Sequence, residues 1–107
     1  MNMPDFVGAF FRAGQHDDAD SLSQAFTTDA VVEDEKALHH GRDAIRTWWM
    51  AAKAASQFVV VPKSAVREGD TAVVRATVSG NFAGSPIDLT YTFTSEGGKI
   101  SRLEIRP

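Results

Sequence analysis

Three consecutive acids, Glu33, Asp34 and Glu35, end the apolar run Ala30-Val31-Val32, and His39 and His40 follow within a short loop. A carboxylate at the mouth of an apolar hollow can take a proton from the carbon beside a carbonyl. A nearby hydroxyl can then hold the oxygen on which charge develops. Asp34 is read as that base, against the plainer alternative that it is the solvated end of a strand. Tyr91, the one tyrosine of the chain, lies on the inward stripe of a strand, so its hydroxyl needs a partner or a ligand. It is read as the donor. Arg75 sits among valines, and two readings stay open. Facing inward, it must pair with a carboxylate such as Asp34, because a lone buried charge is prohibitively costly. Facing outward, it belongs to the outer surface.

Asp34, Glu35, His39 and His40 are metal-ligand residue types, but adjacent histidines seldom reach one ion. No metal and no cofactor is expected. His39 is assigned to ligand contact instead. Asp17, Asp18 and Asp20 are read as helix-start residues rather than as a metal cluster.

These side chains need elements to hold them. Pro4 and Asp5 open a helix with Phe6, Ala9, Phe10 and Ala13 on one face, ending near Gly14. A second helix capped by Asp17 or Asp18 carries Leu22, Ala25 and Phe26. A strand over 30–34 and a loop follow, and Gly41 and Asp43 open a third helix. There Ile45, Trp48, Trp49 and Ala52 share a side, with Arg42, Arg46 and Lys53 left wet. From Phe58 the pattern becomes that of strands, over 58–67, 71–79, 87–94 and 99–106, with turns at Glu68-Gly69-Asp70 and Glu96-Gly97-Gly98. In the third of these, Ile87, Leu89, Tyr91 and Phe93 alternate with Asp88, Thr90, Thr92 and Thr94, so Asp88 should point outward.

The 107 residues suit one domain over 1–107, and 43% hydrophobic with 23% charged residues is ordinary globular composition. A net charge of -3 with scattered basic residues gives no phosphate-tracking stripe, so nucleic acid is not an expected partner. The absence of cysteine excludes disulfides and thiolate sites. Without a basic flank on Met1-Asn2-Met3-Pro4-Asp5, and with no long apolar run, a soluble cytoplasmic protein away from membranes is expected.

The stretch Phe26 to Asp34 followed by Gly41-Arg42-Asp43-Ala44-Ile45 resembles the nuclear transport factor 2-like superfamily. That superfamily includes SnoaL-like polyketide cyclases, ketosteroid isomerases and limonene-epoxide-hydrolase-like enzymes. The resemblance implies a cone-shaped half-barrel and places the isomerases' base on Asp34. Their helix tyrosine falls on Phe10. Pro86-Ile87-Asp88 imitates their second donor, but strand parity puts Leu89 in that place. The epoxide hydrolases' arginine falls on Arg75, and their aspartates fall on Thr77 and Ile105.

The resulting expectation is an α+β domain: three N-terminal helices packed on a curved antiparallel sheet that forms the cone. A small, mostly apolar molecule with one polar group would bind inside. Its expected contacts are Phe10, Leu22, Phe26, Val32, His39, Trp48 or Trp49, Phe58, Arg75, Phe93 and Leu103. Acid–base isomerisation, cyclisation or dehydration through Asp34 is one outcome, and a non-catalytic binding module is the alternative. Because so few helices cannot cover both faces of the sheet, the outer face is expected to form a homodimer.

Overall fold

The computed structural model describes residues 3–107. Met1 and Asn2, part of the N-terminal stretch and of the 1–107 domain reading above, lie outside the described residues. Helix α1 (Asp5–Gln15) starts at Pro4, whose carbonyl accepts from the amides of Val7 and Gly8. Its buried face is broader than the spacing suggests, since Val7 and Phe11 join Phe6, Phe10 and Ala13. Helix α2 (Ala19–Gln24) is capped by Asp18, which accepts from the Ser21 amide at 3.0 Å and the Ser21 hydroxyl at 2.7 Å. Those bonds hold the Asp18 carboxyl below its ordinary range.

Strand β1 (Phe26–Asp34) begins four residues earlier than the sequence suggests, and Phe26 belongs to it rather than to the helix. Tertiary pairing decides this. Phe26 lies opposite Ile100, and the Ile100 amide donates to the carbonyl of Ala25. The histidine loop is also more ordered than expected. Ala37–His40 is strand β2, which turns back antiparallel on β1. Helix α3 (Arg42–Ser56) starts at Gly41, whose φ of 91° suits glycine and whose amide donates to the Ala30 carbonyl at 2.8 Å. Strands β3 (Val59–Glu68), β4 (Thr71–Ser79), β5 (Ile87–Glu96) and β6 (Lys99–Arg106) complete the chain.

The described residues form an α+β fold with three helices and one open six-stranded sheet, ordered β2-β1-β6-β5-β4-β3. Two details correct the expectation. The third helix comes after two strands, and the sheet is mixed, because β1 runs parallel to β6 in its middle. A parallel neighbour needs a long crossover, and the chain between β1 and β6 supplies it.

Strand parity separates the faces. Ala72, Val74, Ala76 and Val78 of β4 are buried, as are Tyr91 and Phe93 of β5 and Leu103 and Ile105 of β6. The Phe10 ring meets those of Phe11, Phe26 and Phe93 edge to face at 5.2 to 5.9 Å, which knits α1 to the sheet. The outer face carries polar residues such as Arg75, Thr77 and Asp88 together with the exposed valines Val59, Val61, Val66 and Val73.

Candidate functional site: a carboxylate and a phenol in an aromatic cleft

On β1, Val32 is buried in the inner face, so parity sends Glu33 outward and Asp34 inward. The register then sets a row across the sheet. Ala37 of β2, Asp34, Ile105 of β6, Tyr91 of β5 and Val74 of β4 are successive partners. Asp34 and Tyr91 thus stand two strand spacings apart, about 10 Å between backbones. Both line a cleft of about 1440 Å³ between the sheet and α3.

The indole N–H of Trp48 donates to Asp34 Oδ2 at 3.1 Å. Among the described residues, no cationic side chain pairs with Asp34. The His39 ring faces Trp48 at 5.7 Å with a tilt of 32°, so Asp34, Trp48 and His39 form one polar edge of the cleft. Tyr91 is only 5% exposed, yet its hydroxyl has no hydrogen-bond partner among the described residues. It is not sealed off either, since no fully buried polar atom there lacks a partner. Its oxygen therefore looks into the cleft. Burial, and then the negative charge of Asp34, push the Tyr91 phenol well above its ordinary value of 10.0. Tyr91 is protonated at neutral pH and can donate.

The other residues named from sequence divide cleanly. Phe10, His39, Trp48, Trp49 and Phe58 line the cleft with Asp34 and Tyr91. Leu22 and Leu89 also line it, and Asp88 points outward, accepting from the Thr77 hydroxyl at 2.7 Å. Phe26, Val32, Phe93 and Leu103 do not reach it. They have no exposed surface and form the packed base under α1 and α3. Arg75 is corrected outright: it sits exposed on the outer face and donates to Thr90 Oγ1 at 2.7 Å. Its strand neighbours Val74 and Ala76 occupy the inner face, so parity leaves it none. The epoxide-hydrolase constellation is therefore not assembled here.

The sequence profile of the SnoaL-like domain family matches residues 7–103. The chain belongs to that family. A candidate polyketide cyclase from Sinorhizobium meliloti is 52% identical, with a TM-score of 0.95 over 97% of this chain and 95% of its own. A Catenulispora acidiphila protein with a ketosteroid isomerase-like fold, in complex with trimethylamine, is 22% identical. Its TM-score is 0.87 over 99% of this chain and 87% of its own. An epoxide hydrolase/cyclase-like enzyme of pyran ring formation in the polyether salinomycin is 21% identical, at a TM-score of 0.82 over 97% of this chain and 93% of its own. The last two establish the fold alone. No curated protein matches the sequence.

Lys53 and Phe11 are among the cleft residues of this SnoaL-like domain that escaped the sequence reading. Lys53 is not simply a wet surface residue. Its ammonium sits 4.6 Å from the Phe58 ring centre and 5.7 Å from that of Trp49, and it pairs with Asp17 at 3.4 Å. The signal was present, since Lys53 lies four residues after Trp49 on one helix face. Phe11 lines the cleft beside Phe10, and its ring lies 5.5 Å from that of Tyr91. Its spacing of four from Val7 was the missed cue. No helix among the described residues is long and apolar enough to cross a membrane, and none of their His, Asp and Glu side chains cluster as a metal site.

Proposed function

We propose that this SnoaL-like domain binds a small, mostly apolar molecule in a cone-shaped hollow under α3, and that Asp34 moves a proton on it. The observation carrying this reading is that an acid without a cationic partner and a phenol without a hydrogen-bond partner stand in one inner-face row and line one cleft. Asp34 accepts the proton, and Tyr91 donates a hydrogen bond to the oxygen that becomes electron-rich. The Trp48 N–H fixes one carboxylate oxygen and leaves the other toward the ligand. Isomerisation, cyclisation and dehydration all use such a step. The likeness to a candidate polyketide cyclase supports that class, and the trimethylamine held by the Catenulispora acidiphila protein supports a small organic ligand.

A direct test uses flat ketones, 1-tetralone first, in heavy water, with loss of the α-C–H signal followed by proton NMR. Wild-type protein should speed the exchange, and Asp34→Asn should abolish it while affinity for the neutral ketone holds. Equal exchange by both proteins would remove Asp34 from the role of base.

A second reading, a non-catalytic binding module, is favoured by one observation. The places where the resemblance puts the isomerases' oxyanion donors are held by Phe10 and Leu89, which line the cleft and have no hydrogen bond to donate. Ketone binding without any exchange would support it. We further propose a homodimer through the outer face, where Val59, Val61, Val66 and Val73 of β3 and β4 are exposed. Light scattering over a concentration series reads that directly.

A further inference from the structure

We propose that the ligand of this cleft carries a positive charge, as a substituted ammonium or iminium nitrogen held between Asp34, Trp48 and Tyr91. This rests on the cleft being the ligand site, as proposed above, and narrows the class of molecule that enters it.

The charges lining the cleft are Asp17, Asp34, Glu35 and Lys53. Lys53 and Asp17 neutralise one another at 3.4 Å. Asp34 and Glu35 enter no ion pair among the described residues, so the end of the cleft near β1 and β2 holds two uncompensated negative charges. The walls beside them are π surfaces, namely Trp48 with His39 tilted against it, and Tyr91 with Phe10 and Phe11 around it. Aromatic faces are electron-rich and attract cations, more strongly with a desolvated charge. A carboxylate beside such faces replaces the water that an ammonium gives up on entry.

An independent observation points to the same place. The Tyr91 hydroxyl is unpartnered, in a residue more than nine-tenths buried, and opens into the cleft. Its oxygen can accept from an N–H of the ligand, and Asp34 stands two strands away in the same inner-face row. An anionic ligand meets the opposite situation. At this end of the cleft the Trp48 N–H is already committed to Asp34, which leaves Tyr91 and His39 to donate to the anion, against two unpaired carboxylates.

Three probes of matched shape separate charge from size: phenyltrimethylammonium, tert-butylbenzene and benzenesulfonate. Each is titrated into the full chain, with the Trp48 indole N–H followed by nitrogen-correlated NMR. The affinity order should be cation, then neutral, then anion. Asp34→Asn should weaken the cation about tenfold and leave tert-butylbenzene unchanged, and Glu35→Gln, on the exposed turn, should weaken it less. Added salt should weaken only the cation. Equal affinity for the cation and tert-butylbenzene would overturn the inference, as would a cation indifferent to Asp34→Asn, while leaving the cleft a ligand site. If none of the three moves the indole signal, the ligand-site reading falls and this inference with it.

Discussion

Glu33 and Asp34 are neighbours in sequence and opposites in circumstance. Glu33 faces outward, 21% exposed, and receives Arg102 at 3.3 Å and Arg106 at 2.8 Å, with Glu104 bridging the same arginines. Asp34 faces inward and receives a single neutral N–H from Trp48. One residue of strand parity separates a carboxylate built into a surface lattice from one paired with no cation. A charge satisfied by two guanidinium groups is structural. A charge held by one indole in an aromatic cleft has capacity left over, and that difference supports the functional reading.

Four tests would break or sharpen the contrast. The largest effect is expected at the apolar pair just before the acids. Val32→Asp places a charge in the inner core and should cost about 3 kcal/mol or more. Val31→Asp, on the outer face, should cost about 1 kcal/mol or less, so urea unfolding of the two variants reads the faces directly. Next, Glu33→Ala should cost about 1 kcal/mol, because two partly exposed arginines lose a partner. Asp34→Ala should cost less than Glu33→Ala, and a larger loss at Asp34 would reverse the assignment of roles.

The third test is alkaline. The folded state holds the Tyr91 proton that the unfolded chain releases near pH 10.0. This contribution is therefore complete below pH 10 and is lost as pH rises further. Tyr91→Phe should lack that alkaline decline, as seen in unfolding midpoints measured at pH 8 and at pH 10 to 11. The smallest effect concerns the β1–β2 turn, where Glu35 and Lys36 have φ of 51° and 67°. The β5–β6 turn uses Gly97 and Gly98 for the same two positions. Glu35→Asn with Lys36→Gly should stabilise the protein by about 0.5 to 1 kcal/mol in urea unfolding.

Much of this was legible in the sequence where period and parity act alone. The alternation over 87–94 put Tyr91 inward and Asp88 outward, and the structure agrees. The apolar face of α3 was readable from Ile45 and Trp49. What escaped depends on pairing between distant segments. Phe26 is a strand residue because Ile100, far along the chain, lies beside it. The parallel run of β1 along β6 has no local signature at all. Arg75 stayed ambiguous because valine and alanine surround it on both sides, and only the register to Thr90 fixes its face. The glycine-free turn at Glu35-Lys36 hid β2, because its backbone angles are those that usually call for Asn-Gly.

The central claim is that the ligand meets Asp34 on the inner face and not the arginine lattice behind it. The most direct measurement is a nitrogen-correlated NMR titration of the full chain with 1-tetralone, comparing the Trp48 indole and the amides of Asp34 and Tyr91 with those of Arg102 and Arg106. The account predicts saturable shifts in the first group with the second unmoved. Shifts confined to Arg102 and Arg106, or a Trp48 indole that never responds, would contradict it.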